Sequence, residues 1–156
     1  MAGFEFRYML NGGNPVIKDF IMKDTETFTK GDMMNIETGE LDLAVAGDLA
    51  FCGVFLGTVN PDDERNTAHE RTPGKVAGTT AVTKVRAIIS PDAVYSTADA
   101  NTRAAGALLD ITGATGAQGL AASSGNEFVV VERKAVAADP TFVLITAPTH
   151  YLTKVQ

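Results

Sequence analysis

Cysteine is nearly absent from this chain, and tryptophan is absent altogether. Cys52 is the only cysteine among 156 residues, which excludes an internal disulfide and a cysteine-based zinc site. A chain of this length needs no such crosslink, because a single domain of its size buries roughly two thirds of the surface of the unfolded chain. The scarcity of cysteine is typical of a protein that is made in a reducing cytosol.

The chain also has no long apolar run, and acidic residues outnumber basic ones. No stretch approaches the ~18 consecutive apolar residues of a transmembrane helix, and residues 1–10 alternate apolar with charged positions where an export signal has an unbroken apolar segment. We therefore expect no membrane partner. Lysine and arginine number 13 against 19 aspartates and glutamates, a net charge of −6. Because an acidic surface repels phosphates, we expect no nucleic-acid partner.

What the sequence does contain is a series of short strand patterns. Apolar residues alternate with polar ones, or form short runs rich in valine, isoleucine and threonine, as strands require. A tight hairpin turn is predicted between Glu37 and Glu40, with Gly39 at a position that needs positive φ. The long apolar strand over residues 49–59 is expected to be buried on both faces. The predicted strands are residues 4–10, 16–23, 33–36, 41–45, 49–59, 76–90, 127–133 and 141–146.

Only one helix is predicted. Asp99 is placed to cap a short helix over Ala100–Leu109, where alanines and leucines roughly follow helical spacing, although Thr102 and Gly106 weaken the pattern. Eight strands and one short helix predict a mainly β fold, either a small barrel or a β-sandwich. Residues 60–75 are polar and rich in turn-forming residues, which predicts a long surface loop.

The first thirteen residues form a pattern of their own. Phe4, Phe6 and Tyr8 share one face of an extended segment, and a glycine hinge follows at Gly12. We interpret residues 1–13 as an extended N-terminal arm that adds itself to a neighbour's sheet, and residues 14–156 as a single β-rich domain. The alternative is an ordinary edge strand of the protein's own fold. The C-terminal segment also alternates, and it either pairs with the same neighbour or closes the fold. The candidate interface residues are Phe4, Phe6, Tyr8, Pro15, Tyr151 and Leu152.

Three patterns could carry chemistry, and each has a simpler interpretation. Cys52 with His69 or His150 could form a thiol nucleophile and its base, but Cys52 lies in an apolar strand, where a thiol behaves as a small hydrophobe. The acidic residues 62–64 are consecutive, whereas the ligands of a calcium loop alternate with spacers. Gly113–Gly119 lacks the following helix of a phosphate-binding loop. We therefore expect no catalytic residue, no metal ligand and no cofactor.

Glycine-containing turn motifs recur along the first half of the chain. Lys30-Gly31-Asp32 reads as a turn that opens a strand, although it also resembles an adhesion tripeptide. A second Gly-Asp turn stands at Gly47-Asp48, and a Gly-Val step at Gly53-Val54 precedes Gly57-Thr58. From about residue 28 to residue 135 the chain resembles the decoration, or cement, proteins of tailed-bacteriophage heads. The segments of the second half that share this style are residues 94–106, 109–119 and 126–131.

The resemblance implies a structural virion protein without enzymatic activity. Such a protein binds the outer surface of an icosahedral capsid through the major capsid protein, stabilises the capsid, and forms a homo-oligomer for which a trimer is favoured. It also implies assembly in the host cytoplasm and a final location on the capsid surface. Two other hypotheses stay open: a tail- or fibre-associated adhesion module that grips a receptor with residues 60–75, and a small enzyme built around Cys52.

Overall fold

The computed structural model describes residues 3–23, 26–58, 84–122 and 125–152, and within these ranges the chain is built from strands. No α-helix occurs among the described residues. The strands are β1 (Phe4–Met9), β2 (Ile17–Ile21), β3 (Met33–Glu37), β4 (Glu40–Leu43), β5 (Phe51–Thr58), β6 (Lys84–Ile88), β7 (Ala93–Thr97), β8 (Leu108–Thr112), β9 (Gly119–Ala122), β10 (Phe128–Val130) and β11 (Thr141–Ile145).

The strands form two antiparallel sheets. A six-stranded sheet has the order β1-β7-β11-β10-β8-β9, and a five-stranded sheet has the order β2-β6-β5-β3-β4. The arrangement is that of a β-sandwich, which confirms the predicted mainly β fold. The edge strands of the five-stranded sheet meet at a single bridge between Met22 and Leu41, so this sheet curls strongly without forming a closed barrel.

The hairpin and the strand that follows it are as predicted. Thr38 and Gly39 both have positive φ, 51° and 87°, and they form the two-residue loop between the paired residues Glu37 and Glu40. This is the geometry of a type I′ turn, whose twist suits a tight hairpin. β5 is buried on both faces, as its unbroken apolar sequence predicts, and it lies at the centre of the five-stranded sheet.

Two apolar clusters, one on each face of the five-stranded sheet, make up the core. The first lies between the sheets and includes Phe51, Tyr95 and Phe128, which are completely buried. The second covers the other face of the five-stranded sheet, where Phe28 packs edge-on against Phe55 with ring centroids 5.5 Å apart. Because residues alternate along each strand, neighbours such as Phe51 and Cys52 enter different clusters.

The N-terminal segment belongs to this core, so its interpretation as a separate arm is wrong and the alternative of an edge strand is correct. Phe4 is only 3 % exposed and stacks on Phe128 with ring centroids 5.2 Å apart. Phe4 also pairs with Thr97 in the β1–β7 ladder. The segment is extended, as expected, but it pairs with β7 of the protein's own sheet. The predicted boundary between an arm of residues 1–13 and a domain of residues 14–156 is therefore not a boundary between two structural units.

The predicted helix over Ala100–Leu109 is also wrong. Residues 100–107 form an irregular connection, and Leu108 and Leu109 begin β8. Gly106 has a φ of 81°, which a helix does not allow. The Asp99 carboxylate accepts the backbone N–H of Asn101, as a cap would, but it also pairs with Arg103 at 2.5 Å. These contacts fix a turn, since no apolar helical face follows it.

Candidate interaction surface

A groove of about 990 Å³ runs along the edge strand β1. Its walls come from five separate parts of the chain, and most of its lining is apolar. The lining residues are Gly3–Arg7, Lys30, Gly31, Val54–Leu56, Ser96–Ala100 and Ala137–Pro140. We call this feature the β1 groove.

The edge position of β1 is what makes the β1 groove a potential binding surface. Among the described strands, β1 pairs with β7 alone, and Gly3–Arg7 line the groove. At one end the Phe4 N–H donates to the Gly31 carbonyl at 2.7 Å, and the Gly31 N–H donates to the Phe55 carbonyl at 3.1 Å. These two bonds tie the edge strand to the other sheet. Beyond them, the edge can accept a further extended segment.

Charged side chains at the rim of the β1 groove are held in place by the protein itself. The Arg7 guanidinium donates to the Ser96 hydroxyl at 2.7 Å and pairs with the Glu5 carboxylate at 3.0 Å. Asp99 lies at the far wall. Partial burial acts to raise the pKa of its carboxyl group, but the contact with Arg103 outweighs burial and lowers this pKa below its ordinary value. Fixed charges at the rim of an apolar groove favour the binding of a partner segment in a single alignment along the groove.

A β-bulge divides the aromatic residues of β1 between the two faces of the sheet. Phe6 pairs with Tyr95, whereas Tyr8 pairs with the adjacent Val94, so Arg7 is the extra residue. Phe6 therefore points to the interior side and packs edge-on against Tyr95. The Tyr8 side chain lies on the outer face, where its hydroxyl donates to Glu132 at 2.7 Å. The prediction that Phe4, Phe6 and Tyr8 share one face is therefore wrong for Tyr8.

Of the six predicted interface residues, only Phe4 and Phe6 line the β1 groove. Phe4 is nevertheless buried, so Phe6 is the one that offers surface to a partner. Tyr151 and Leu152 pack against the second core cluster, and they help to close the protein's own fold. Pro15 lies half-buried in the connection between the two sheets. The groove walls at Leu56 and Ala138 were missed, because no sequence signal links segments so far apart.

Cys52 and His150 are neighbours in the structure, but their chemistry is that of core residues. Burial raises the pKa of the Cys52 thiol to about 12, and the thiol lies 3.6 Å from the Met34 carbonyl oxygen. Burial lowers the pKa of His150 to about 4, and its Nδ1 accepts the Leu152 N–H at 3.1 Å. At neutral pH both side chains are uncharged, which does not favour a thiolate nucleophile. His69 lies outside the described residues.

The buried His150 gives a prediction for acid stability. Its folded-state pKa of about 4 lies below the ordinary 6.5, so the unfolded chain binds a proton first. The contribution to stability is complete above pH 6.5 and is lost as the pH falls toward 4. His150→Asn is the reference, because asparagine keeps an acceptor for the Leu152 N–H. Relative to this variant, the free energy of unfolding of the wild type should fall by at most about 3 kcal/mol over this range. Urea unfolding of both proteins across pH 4–7 measures this loss, and free energies that change in parallel with pH would contradict the prediction.

The glycine-rich segment and the first Gly-Asp turn support each other structurally. The buried Asp32 carboxylate accepts the N–H groups of Thr29 and Gly116, both at 2.8 Å, and burial raises its pKa. Gln118 donates to the Ala44 carbonyl and accepts the Met33 N–H. These bonds confirm that Lys30-Gly31-Asp32 forms a turn. Gly119 itself begins β9, a strand that the sequence analysis did not predict.

In the part of the chain that the structure describes, no group of three or more histidine, cysteine, aspartate or glutamate side chains is placed to hold a metal ion. In the same part, no helix is long and apolar enough to cross a membrane. The acidic residues 62–64 and the predicted loop over residues 60–75 lie outside the described ranges.

Comparisons with known proteins give no match to a family model, to a curated protein or to a solved structure.

Proposed function

We propose that this protein is a structural component of a tailed-bacteriophage virion, which binds the outer surface of the icosahedral capsid and stabilises it. The observation that carries the proposal is the β1 groove, an apolar channel beside an edge strand. Such a surface suits an extended segment of another protein better than a small substrate, because backbone hydrogen bonds to the edge strand would provide much of the affinity. The resemblance of the turn motifs to capsid decoration proteins directs the proposal to a capsid.

The partner in this proposal is the major capsid protein, with an extended segment of that protein lying along β1. Phe6 and Leu56 form part of the apolar floor, and Arg7 at the rim is fixed by Ser96. An icosahedral shell presents the same segment many times, and a homotrimer would engage three copies at once, so modest individual contacts add up. The rigid sandwich supplies a surface that loses little entropy on binding.

The alternative of a tail- or fibre-associated adhesion module rests on residues 60–75. Those residues lie outside the described ranges, and no observation among the described residues favours that alternative. Binding to the capsid therefore stays the single candidate function.

The test is direct binding to phage heads that lack this protein. Purified protein should bind expanded heads at micromolar concentration, reach a fixed ratio to the major capsid protein, and raise the temperature at which the heads release DNA. Sedimentation with heads and calorimetry of the loaded heads measure these effects. Failure to bind, or a location at the tail tip in images of virions, would overturn the proposal.

Filling the β1 groove should weaken this attachment without affecting the fold. Ala138 is exposed and lines the groove, so Ala138→Trp places an indole where the partner segment would lie. We expect the Kd for heads to rise by about tenfold or more, which is about 1.4 kcal/mol of lost binding. Ala105→Trp is the matched control, because Ala105 is also an exposed loop alanine but lies outside the groove lining. Equal effects of the two variants would exclude the groove as the binding surface.

A further inference from the structure

The central strands of the six-stranded sheet have apolar side chains on both faces. Side chains alternate between the two faces along each strand. Tyr95 of β7 and Val143 of β11 belong to the cluster between the sheets, so their neighbours Val94 and Leu144 point the other way. We call the face that carries Val94 and Leu144 the outer face of this sheet.

The apolar residues of the outer face form a continuous row across five adjacent strands. Each residue of the row is the direct cross-strand partner of the next, and the Cβ atoms of such partners are about 5 Å apart. Phe142, which is half-buried, extends the row along β11, and Leu108 at one end of the row is 44 % exposed. The row consists of Tyr8, Val94, Leu144, Val129 and Leu108.

The row is not part of the protein's own core. None of its five residues belongs to either apolar cluster or packs against one as a partly buried neighbour. An antiparallel sheet that covers a core with one face commonly has polar residues on its other face. The apolar row therefore has a use other than stabilising the core between the sheets.

Charged side chains are confined to the margins of the outer face. β7, β10 and β11 contain no charged residue. Asp110 of β8 is buried, and it accepts the backbone N–H groups of Gly125 and Asn126. Glu5 and Arg7 lie on the edge strand β1 and pair with each other. Because a chain with a net charge of −6 repels its own copies wherever acidic groups meet, this uncharged face suits a second copy.

We propose that the outer face of the six-stranded sheet is a contact between two copies of this chain, packed sheet against sheet about a two-fold axis. Sheets packed in this way lie ~10 Å apart with their strands nearly aligned. With the axis parallel to the strands and between β11 and β10, Leu144 of one copy lies against Val129 of the other. The charged edge at β1 then lies over β9 of the second copy, and β9 has no charged residue.

The size of the outer face matches a small specific interface. The six strands are ~4.8 Å apart and their typical length of five residues is ~17 Å, so each copy offers about 500 Å². Two copies therefore bury about 1,000 Å² in total, the lower limit for a specific contact. We expect a Kd in the micromolar range, since a contact of this size has little surplus over the entropy lost on association.

Such a contact pairs copies two by two, and it does not depend on binding to a capsid. The trimer implied by the resemblance to decoration proteins would form through a different surface. The oligomer of the purified protein therefore has an even number of copies, whether the contact joins two single chains or two trimers.

The test is the number of copies in each particle of the purified full-length chain. The wild type at about 100 μM, well above a micromolar Kd, should contain an even number of copies, and Leu108→Glu should contain half as many. The glutamate would bury an unpaired negative charge from each copy, so we expect the Kd to rise by about 100-fold or more. Sedimentation equilibrium or light scattering after size exclusion measures the number of copies.

Ile21→Glu is the matched control, because Ile21 is also a strand residue, is 43 % exposed against 44 % for Leu108, and belongs to the other sheet. It should leave the number of copies unchanged. A wild type that is monomeric or has an odd number of copies at this concentration would overturn the proposal. Equal effects of the two variants would also overturn it, because the copies would then meet through another surface.

An independent readout uses the wild type alone and applies even if Leu108→Glu fails to fold. The NMR methyl signals of Val129 and Leu144 should shift as the protein is diluted from about 200 μM to about 5 μM, across the expected Kd. The methyl signals of Leu41, in the second core cluster, should stay constant. Signals of Val129 and Leu144 that do not respond to dilution in a protein that stays monomeric would overturn the proposal.

Discussion

Replacing Phe4 with alanine is expected to lower the free energy of unfolding by about 3–5 kcal/mol. Phe4 is buried in the core between the sheets and stacks on Phe128. Removal of its ring therefore leaves a cavity that the surrounding core residues cannot fill. A loss of this size is a large fraction of the 5–15 kcal/mol that stabilises a typical domain. Guanidinium or urea unfolding measures it, and the denaturant dependence shows whether the variant still unfolds in one step.

The control for Phe4→Ala is Leu10→Ala, which removes an apolar side chain that is 53 % exposed just after β1. We expect its effect to stay within about 0.5 kcal/mol, as at other surface positions. Deletion of residues 1–13 should be more damaging than Phe4→Ala, because it also leaves one side of the β7 backbone unpaired. A deletion variant as stable as the full chain would show that the segment is a detachable arm after all.

Replacing Gly53 with alanine is expected to cost about 3 kcal/mol or more. A Cβ atom at this position would lie 2.5 Å from the Tyr95 hydroxyl and closer still to the carbonyl oxygen of Ile88. Both neighbours are buried, and the carbonyl belongs to the last residue of β6, so neither can move without disturbing the core. Gly53 also has a φ of 152°, which side chains rarely adopt. Overpacking and backbone strain each contribute about 1–3 kcal/mol.

Two glycine variants separate these contributions. Gly39→Ala keeps the cost of positive φ but meets no atom within 4 Å, so we expect a loss of about 1 kcal/mol. Gly119→Ala has neither problem and should be close to neutral. Thermal or chemical unfolding of the three variants under one set of conditions makes the comparison. A Gly53→Ala variant no worse than Gly39→Ala would mean that β5 and β7 are farther apart than described.

Local sequence patterns were sufficient where one short segment determines its own structure. The turn at Gly39 and the doubly buried β5 follow from glycine conformation and from an unbroken apolar run. The helix predicted after Asp99 fails because the spacing of Leu108 and Leu109 also suits a strand, and tertiary pairing decides between them. β7 was not predicted at all, since a five-residue strand buried on both faces shows no alternation.

The candidate surface was harder to predict than the fold. The aromatic residues of β1 identified the right strand, but the bulge at Arg7 turns Tyr8 away from the β1 groove. That bulge depends on how β1 meets β7, a contact between residues about ninety positions apart. The opposite wall of the groove comes from residues 137–140, and no periodicity connects them to β1. Long-range register is the information that the sequence alone did not provide.

The pairing of Phe4 with Thr97 has a consequence for biosynthesis. β1 leaves the ribosome before the other described strands, its partner β7 follows far behind, and β7 in turn pairs with β11, the last of the described strands. The six-stranded sheet can therefore close only after β11 has been synthesised. Proteins dominated by such distant pairings fold slowly, over milliseconds to seconds. The apolar side chains of Phe4, Phe6 and Met9 stay exposed until then, so newly made chains should depend on chaperones or on low concentration to avoid aggregation.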